Sequence, residues 1–267
     1  MLFLKYKTIK HILSLAGLLI SIAIAGCTKQ ESITVGITST LDDSGVISSL
    51  IEAFKKEYNI DVKAVVAGSG QIHRLIESKD IDTAITHDPI GEQQLLEKQL
   101  ITQRLPLVNN SFLIVGPKDD PAHIAQSITP DEAFEKVAYA KQLFVSRHDN
   151  SGTHQMEKKW RDKLRQQDSN ELIIKTGTGM GATLAVAAEK KAYTLVDRGT
   201  WLNFNNKQTL KVLFDDPELL PNQYSLLSLP VSEAKKEHVK QWETWLSKGK
   251  GLTLLKNYRI NGNLIFD

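Results

Sequence analysis

The chain has 267 residues, 41% of them hydrophobic and 24% charged, with a formal net charge of +2. That is ordinary composition for a folded body, long enough for one large core or two modest ones. The lack of a basic stripe excludes a nucleic-acid partner, and the single cysteine excludes an intrachain disulfide.

The first segment differs from the rest. Lys5, Lys7 and Lys10 form a basic start with no acid, and an apolar run follows from Ile12 to Ile24. The run is short for a spanning helix and reads as a secretory signal. Ile24-Ala25-Gly26-Cys27 resembles a bacterial lipobox. That resemblance implies a signal peptide at 1–26, lipid attachment at Cys27 and a membrane tether for an otherwise soluble body. Losing those three lysines takes the formal charge to −1, so the mature protein is nearly neutral.

Ile33 to Thr38 alternates and predicts a strand, followed by a loop Thr38-Ser39-Thr40. Ser44-Gly45 then opens a helix with Val46, Ile47, Leu50, Ile51 and Phe54 on one face. Ile60 to Val66 is a strand, and Gly68-Ser69-Gly70 leads into a helix carrying Ile72, Leu75 and Ile76. Ile81 to Thr86 is a strand, then Thr86-His87-Asp88 precedes a polar helix from Pro89 to near Lys98. Alternation of this kind predicts a parallel sheet with helices on both faces. The three loops fall beyond the carboxyl ends of the strands, where such sheets bind ligands.

The second half repeats the pattern. Ser111 to Gly116, Leu143 to Ser146, Leu172 to Lys175, Tyr193 to Asp197 and Tyr224 to Leu229 read as strands. Helices are expected over Ala182 to Lys190, after Arg198-Gly199-Thr200, and over Val231 to Lys248. Thr176 to Gly181 is a glycine-rich turn without the lysine of a P-loop. Ser146-Arg147-His148-Asp149-Asn150-Ser151-Gly152-Thr153-His154 is the most informative string. It opens a helix, whose first N–H groups lack partners and attract anions. Arg147 adds a forked cation suited to oxyanions, and Ser151 and Thr153 add donors. The competing reading makes Ser151 a simple N-cap and pairs Arg147 with Asp149.

Two α/β lobes with strand ends facing one another predict a cleft that closes by a hinge. Lobe 1 is expected over 27–110 plus 227–267 and lobe 2 over 111–226, with crossovers near Asn109 to Gly116 and Asn222 to Leu229.

The motifs in order resemble the substrate-binding proteins of tungstate ABC importers, across nearly the whole mature chain. They are Thr38-Ser39-Thr40 with Ser44-Gly45, Gly68-Ser69-Gly70-Gln71, Thr86 to Pro89, Phe112 to Pro121, Phe144 to His154, Thr176 to Leu184 and Ala192 to Thr200. Ile37, His148 and Gln223-Tyr224 depart from the family's pattern. The resemblance implies a two-lobed type II periplasmic binding protein, α/β, each lobe a mostly parallel sheet flanked by helices. It implies anion contacts at Thr38, Ser39, Thr40, Ser69, Arg147, Ser151, Gly152 and Thr153. It further implies a monomer, exported to the periplasm or cell surface, that hands tungstate or molybdate to an ABC permease and its ATPase. It implies no enzyme activity and no cofactor, with metal entering only inside the oxyanion.

Chemistry agrees with this. Tungstate at neutral pH carries no proton, so a suitable site offers donors alone. Phosphate keeps a proton and needs an acceptor, which Asp149 or Asp88 could supply; a phosphate carrier is therefore one alternative. A sensor domain is a second, and a hydrolase using Ser151 with His154 or His87 a third, although no G-x-S-x-G elbow is present. His87 is assigned to the cleft on the resemblance, His154 to a structural hydrogen bond, and Arg198 to a cleft-rim or structural ion pair near Asp197. Trp160, Trp242 and Trp245 read as packing residues, and His73 and His148 lack metal-ligand spacing.

Overall fold

The computed structural model describes residues 31–161 and 172–266. The expected signal segment and Cys27 lie outside them. The described chain begins with β1 (Ser32–Thr38), α1 (Ser39–Asp43), α2 (Val46–Tyr58), β2 (Asp61–Ala67), α3 (Ser69–Glu77), β3 (Thr83–Thr86) and α4 (Pro89–Glu97). β1 pairs in parallel with both β2 and β3, as the alternation requires. Helix α2 buries Val46, Ile47, Leu50 and Phe54 and stops at Asn59, whose left-handed backbone ends the ladder. At α4, Pro89 presets the first turn and Asp88 Oδ1 accepts the Gly91 N–H at 3.2 Å. One expectation changes here: Thr38 closes β1, while Ser39 and Thr40 belong to the helical turn α1 rather than to a loop.

The strand expected at Ser111 to Gly116 is the second half of a longer one, β4 (Gln103–Pro117). The polar start of β4 and Pro106 mask its first half, and the register shifts between Pro106 and Val108. β4 is followed by α5 (Pro130–Tyr139), β5 (Phe144–Ser146), α6 (Gly152–Arg161), β6 (Ile173–Lys175) and α7 (Met180–Lys190). Next come β7 (Thr194–Asp197), α8 (Arg198–Asn203), β8 (Leu210–Phe214), β9 (Pro221–Ser228), α9 (Glu233–Lys248) and α10 (Lys250–Asn257), with a closing hairpin β10 (Arg259–Ile260) and β11 (Asn263–Leu264). Helix α5, strand β8, helix α10 and the hairpin β10–β11 were not expected from the sequence. α5 is specified by its cap: Thr129 Oγ1 accepts from Glu132 N at 3.2 Å, and Glu132 Oε2 accepts from Ile128 N at 2.9 Å.

The main sheet is mixed, ordered β2-β1-β3-β9-β4-β7, with β8 also on β4. The first half of β4 pairs antiparallel with β9, and its second half pairs antiparallel with β7 and β8. Away from it, β5 and β6 pair in parallel. The apolar side chains divide accordingly. One core joins Ile33, Val35, Phe54, Tyr224, Leu226, Trp242 and Trp245. Others join Phe112, Phe134, Phe144, Trp160 and Phe214, or Leu113, Val145, Leu184 and Trp201. β4 and β9 run from one group of cores to the other. Two packed bodies joined by two crossing strands are the two-lobed type II architecture.

Candidate functional site

The ends of β1, β2, β3 and β5 converge where the two groups of cores meet. Arg147 follows β5, and its side chain is only 2% exposed. Its Nε and Nη2 donate to Asp149 Oδ2 at 3.1 and 2.5 Å, and Nη2 also reaches Ser39 Oγ at 3.2 Å. Its Nη1 is buried and has no hydrogen-bond partner among the described residues. The pairing with Asp149 therefore occurs and leaves one guanidinium nitrogen uncommitted. Asp149 spends its other oxygen on the Ser151 N–H at 3.1 Å.

The loop from His148 to Ser151 is folded by two left-handed residues, His148 at φ 48° and Asn150 at φ 57°. Glycine adopts such angles freely and other residues do so at a cost. The Gly177 N–H holds the loop from below, donating to the Arg147 carbonyl at 2.8 Å. Helix α6 then starts, with the His154 N–H donating to Ser151 Oγ at 3.3 Å, so Ser151 does cap. The last residue before that helix comes within 3.4 Å of where a Cβ on Gly68 would stand. A Cβ on Gly152 would lie 2.3 Å from the His87 carbonyl oxygen, so only glycine permits this approach.

The hydroxyls fall into two kinds. Ser39 Oγ accepts from Arg147, Ser151 Oγ accepts from the His154 N–H, and Ser69 Oγ accepts from the His87 N–H at 3.5 Å. An oxygen that accepts from a protein N–H still has its own proton to give, and can donate it to a ligand. Thr38 Oγ1 and Thr153 Oγ1 are buried and find no partner among the described residues. Thr40 differs. Its Oγ1 lies 3.2 Å from both His87 Nε2 and Tyr224 Oη.

Asp149 and Asp88, the two carboxylates the sequence offers as proton acceptors for a ligand, are both engaged. Asp149 is held by Arg147 and by Ser151. Asp88 caps α4 and faces His73, whose Nδ1 is 3.8 Å from its Oδ2. Burial raises the Asp88 carboxyl above the ordinary carboxylate range. Glu92 is fully buried and bonds Thr86, the Asp88 N–H and Arg104.

Arg198 pairs with Asp215 and donates to Ser111 Oγ at 3.0 Å. Asp197 instead caps α8, accepting from the Thr200 N–H and hydroxyl at 2.9 and 2.6 Å. The pairing of Arg198 with its sequence neighbour is thus replaced, because the aspartate side chain turns back onto its own helix. His154 bonds through Nδ1, accepting from the Asn150 N–H at 3.0 Å. Neither of its ring nitrogens bonds Ser151, so these two do not form a nucleophile and base. Trp242 and Trp245 stack 5.8 Å apart in the core. The residues missed were Asn110, Asn222 and Tyr224 on the crossing strands. The asparagine ahead of Gln223-Tyr224 was the only signal for them in the chain.

Two lobes meeting at a buried cluster of uncommitted donors define a substrate-binding protein. The chain belongs to the PBP superfamily: a model of the PBP superfamily domain matches residues 25–246. The tungstate-binding protein TupA of Peptoclostridium acidaminophilum is 28% identical over 271 residues, spanning 93% of this chain and 94% of that protein. The crystal structure of the tungstate ABC transporter from Geobacter sulfurreducens matches with a TM-score of 0.77 at 31% identity, covering 85% of this chain and 99% of that one. TupA from Desulfovibrio alaskensis G20 matches with a TM-score of 0.71 at 29% identity, covering 88% and 98%.

Proposed function

We propose that this protein captures a proton-free tetrahedral dianion, tungstate, in the cleft between its lobes and delivers it to an ABC permease and its ATPase. The observation that carries this reading is the Arg147 Nη1 donor, buried and without a partner among the described residues. Around it, Ser39, Ser69 and Ser151 are polarised outward, and the hydroxyls of Thr38 and Thr153 await an acceptor. Such a set suits a ligand that only accepts. Hydrogen bonds to a charged partner contribute about 1.5–3 kcal/mol each, so a few suffice for tight capture of a small ion.

The occupied carboxylates argue against phosphate, which must donate its proton to something. Molybdate shares the charge and shape of tungstate and is the nearest competitor. The lobes are 27–110 plus 227–267 and 111–226, with the boundary inside β4 and β9. Export by the signal segment and lipidation of Cys27 would hold the mature protein at a membrane, beside its permease.

Titration of the mature protein with tungstate, molybdate, sulfate and phosphate tests the reading, followed by heat and by melting temperature. Ligand at a thousand times its dissociation constant should add about 4 kcal/mol of stability. Tungstate should bind at least as tightly as molybdate and far more tightly than phosphate. Silence toward both metal oxyanions, or a preference for phosphate, breaks the proposal.

A further inference from the structure

One buried network touches the site without presenting a donor to it. Asn222 Nδ2 meets two oxygens, Asn110 Oδ1 at 2.7 Å and Tyr224 Oη at 3.3 Å. Its Oδ1 therefore faces His87 Nδ1, at 2.7 Å. With Asn222 in this orientation its amide oxygen only accepts, so Nδ1 carries the proton. A neutral imidazole with Nδ1–H has a lone pair on Nε2, and the group 3.2 Å from Nε2 is the Thr40 hydroxyl. Thr40 must donate to it. Its oxygen in turn accepts the Tyr224 O–H at 3.2 Å. The ring closes as Asn222 to Tyr224 to Thr40 to His87 and back to Asn222, each donor matched to one acceptor.

The surroundings keep His87 in that state. The imidazole is 4% exposed and stacks on Tyr224, with centroids 5.1 Å apart and planes 16° apart. Desolvation by burial, opposed by the Asn222 hydrogen bond, lowers its pKa to about 4, so it is neutral at physiological pH. The ring also joins separate parts of the molecule. Thr40 sits on α1 next to Ser39, which bonds Arg147. Asn110 and Asn222 stand opposite each other on β4 and β9, where the chain passes between lobes.

We propose that His87 is a positioning residue for oxyanion capture: as the neutral Nδ1–H tautomer it takes up the Thr40 hydroxyl proton and so ties α1, with Ser39, to the crossing strands. This rests on the capture reading above, and it adds a residue that acts without touching the ligand. The Thr40 hydroxyl is then an anchor and not an anion contact.

The test has two arms. The first is the nitrogen spectrum of the histidine rings at neutral pH in protein without ligand, which needs no substitution. His87 should show the Nδ1–H tautomer, whereas the Nε2–H tautomer or an imidazolium would overturn the proposal. The second compares His87→Gln with His87→Phe for tungstate affinity. Glutamine retains a donor and an acceptor, while phenylalanine retains only the stack on Tyr224. His87→Phe should weaken tungstate binding about fivefold or more, the cost of leaving buried groups unpaired, and His87→Gln should restore most of it. A role in bulk packing alone would favour phenylalanine, so equal losses, or a better phenylalanine variant, overturn the proposal. Wild-type protein that ignores every oxyanion overturns the capture reading instead. If His87→Phe does not fold, the tautomer arm still decides.

Discussion

Ser39, half-buried, and Thr40, buried, are neighbours in the chain beside the cleft, and their hydroxyls are wired in opposite senses. The serine oxygen receives a hydrogen bond from Arg147 and keeps its own proton free for a ligand. The threonine oxygen receives one from Tyr224 and spends its proton on His87. Sequence position and residue type hardly distinguish the two. What separates them is whether the partner is a charged donor or a neutral imidazole lone pair. A buried hydroxyl can donate to a ligand only when the protein has not already claimed its proton.

The largest effect should come from removing the donor on which this contrast depends. Arg147→Ala should weaken tungstate binding about a hundredfold or more, because it deletes the cation and leaves Asp149 unpaired beside a dianion. Calorimetry that finds near-wild-type affinity would move the site elsewhere. Ser39→Ala should cost about tenfold in affinity, one charge-assisted bond, with little change in the melting temperature of the ligand-free protein. Thr40→Val should behave the other way round. Its ligand-free stability should fall by about 1–3 kcal/mol, because His87 and Tyr224 lose a buried partner. Its affinity loss should match that of His87→Phe. The double variant should be no weaker than either single one, since the ring can be broken only once. Additive losses, or equal effects of Ser39→Ala and Thr40→Val on ligand-free stability, would erase the distinction.

The sequence carried the first half of the fold well and the crossing strands less well. Helix α2 and strand β1 are legible because their apolar periods are clean and their ends are marked by Gly45 and Asn59. β4 was half hidden, because its first residues are polar and Pro106 reads as a breaker. α10 was lost because Gly249 and Gly251 read as loop, although both pack against Trp245. The Arg147 string pointed to its residue types and even to both of its readings. That Arg147 also reaches Ser39, 108 positions away, was not legible from the string. The ring is non-local in the same way: Thr40 and Tyr224 lie 184 positions apart, and no spacing rule joins them.

The smallest expected effect concerns acid, and it sharpens the comparison without ligand. Burial lowers the His87 pKa from 6.5 to about 4, so in the unfolded chain this histidine binds a proton that the native protein refuses. Stability contributed by the neutral ring is therefore complete above pH 6.5 and is lost as the pH falls toward 4. Between pH 7.5 and 5.5 the loss should be about 1.3 kcal/mol. The total profile mixes this with other groups. His154, also lowered to about 4 by burial and by His148, acts in the same sense. Glu157, raised to about 7, and Asp197, raised to about 6, are carboxyls disfavoured by burial, so they favour the native state as the pH drops. Subtracting the His87→Phe profile from that of the wild type removes their contribution. The stability advantage of the wild type over this variant should shrink steadily as the pH is lowered from 7 to 5. An advantage that stays constant would mean that His87 titrates normally in the native protein, and one that grows would mean that it is already charged there. The growing advantage would leave Nε2 without the lone pair that accepts the Thr40 proton.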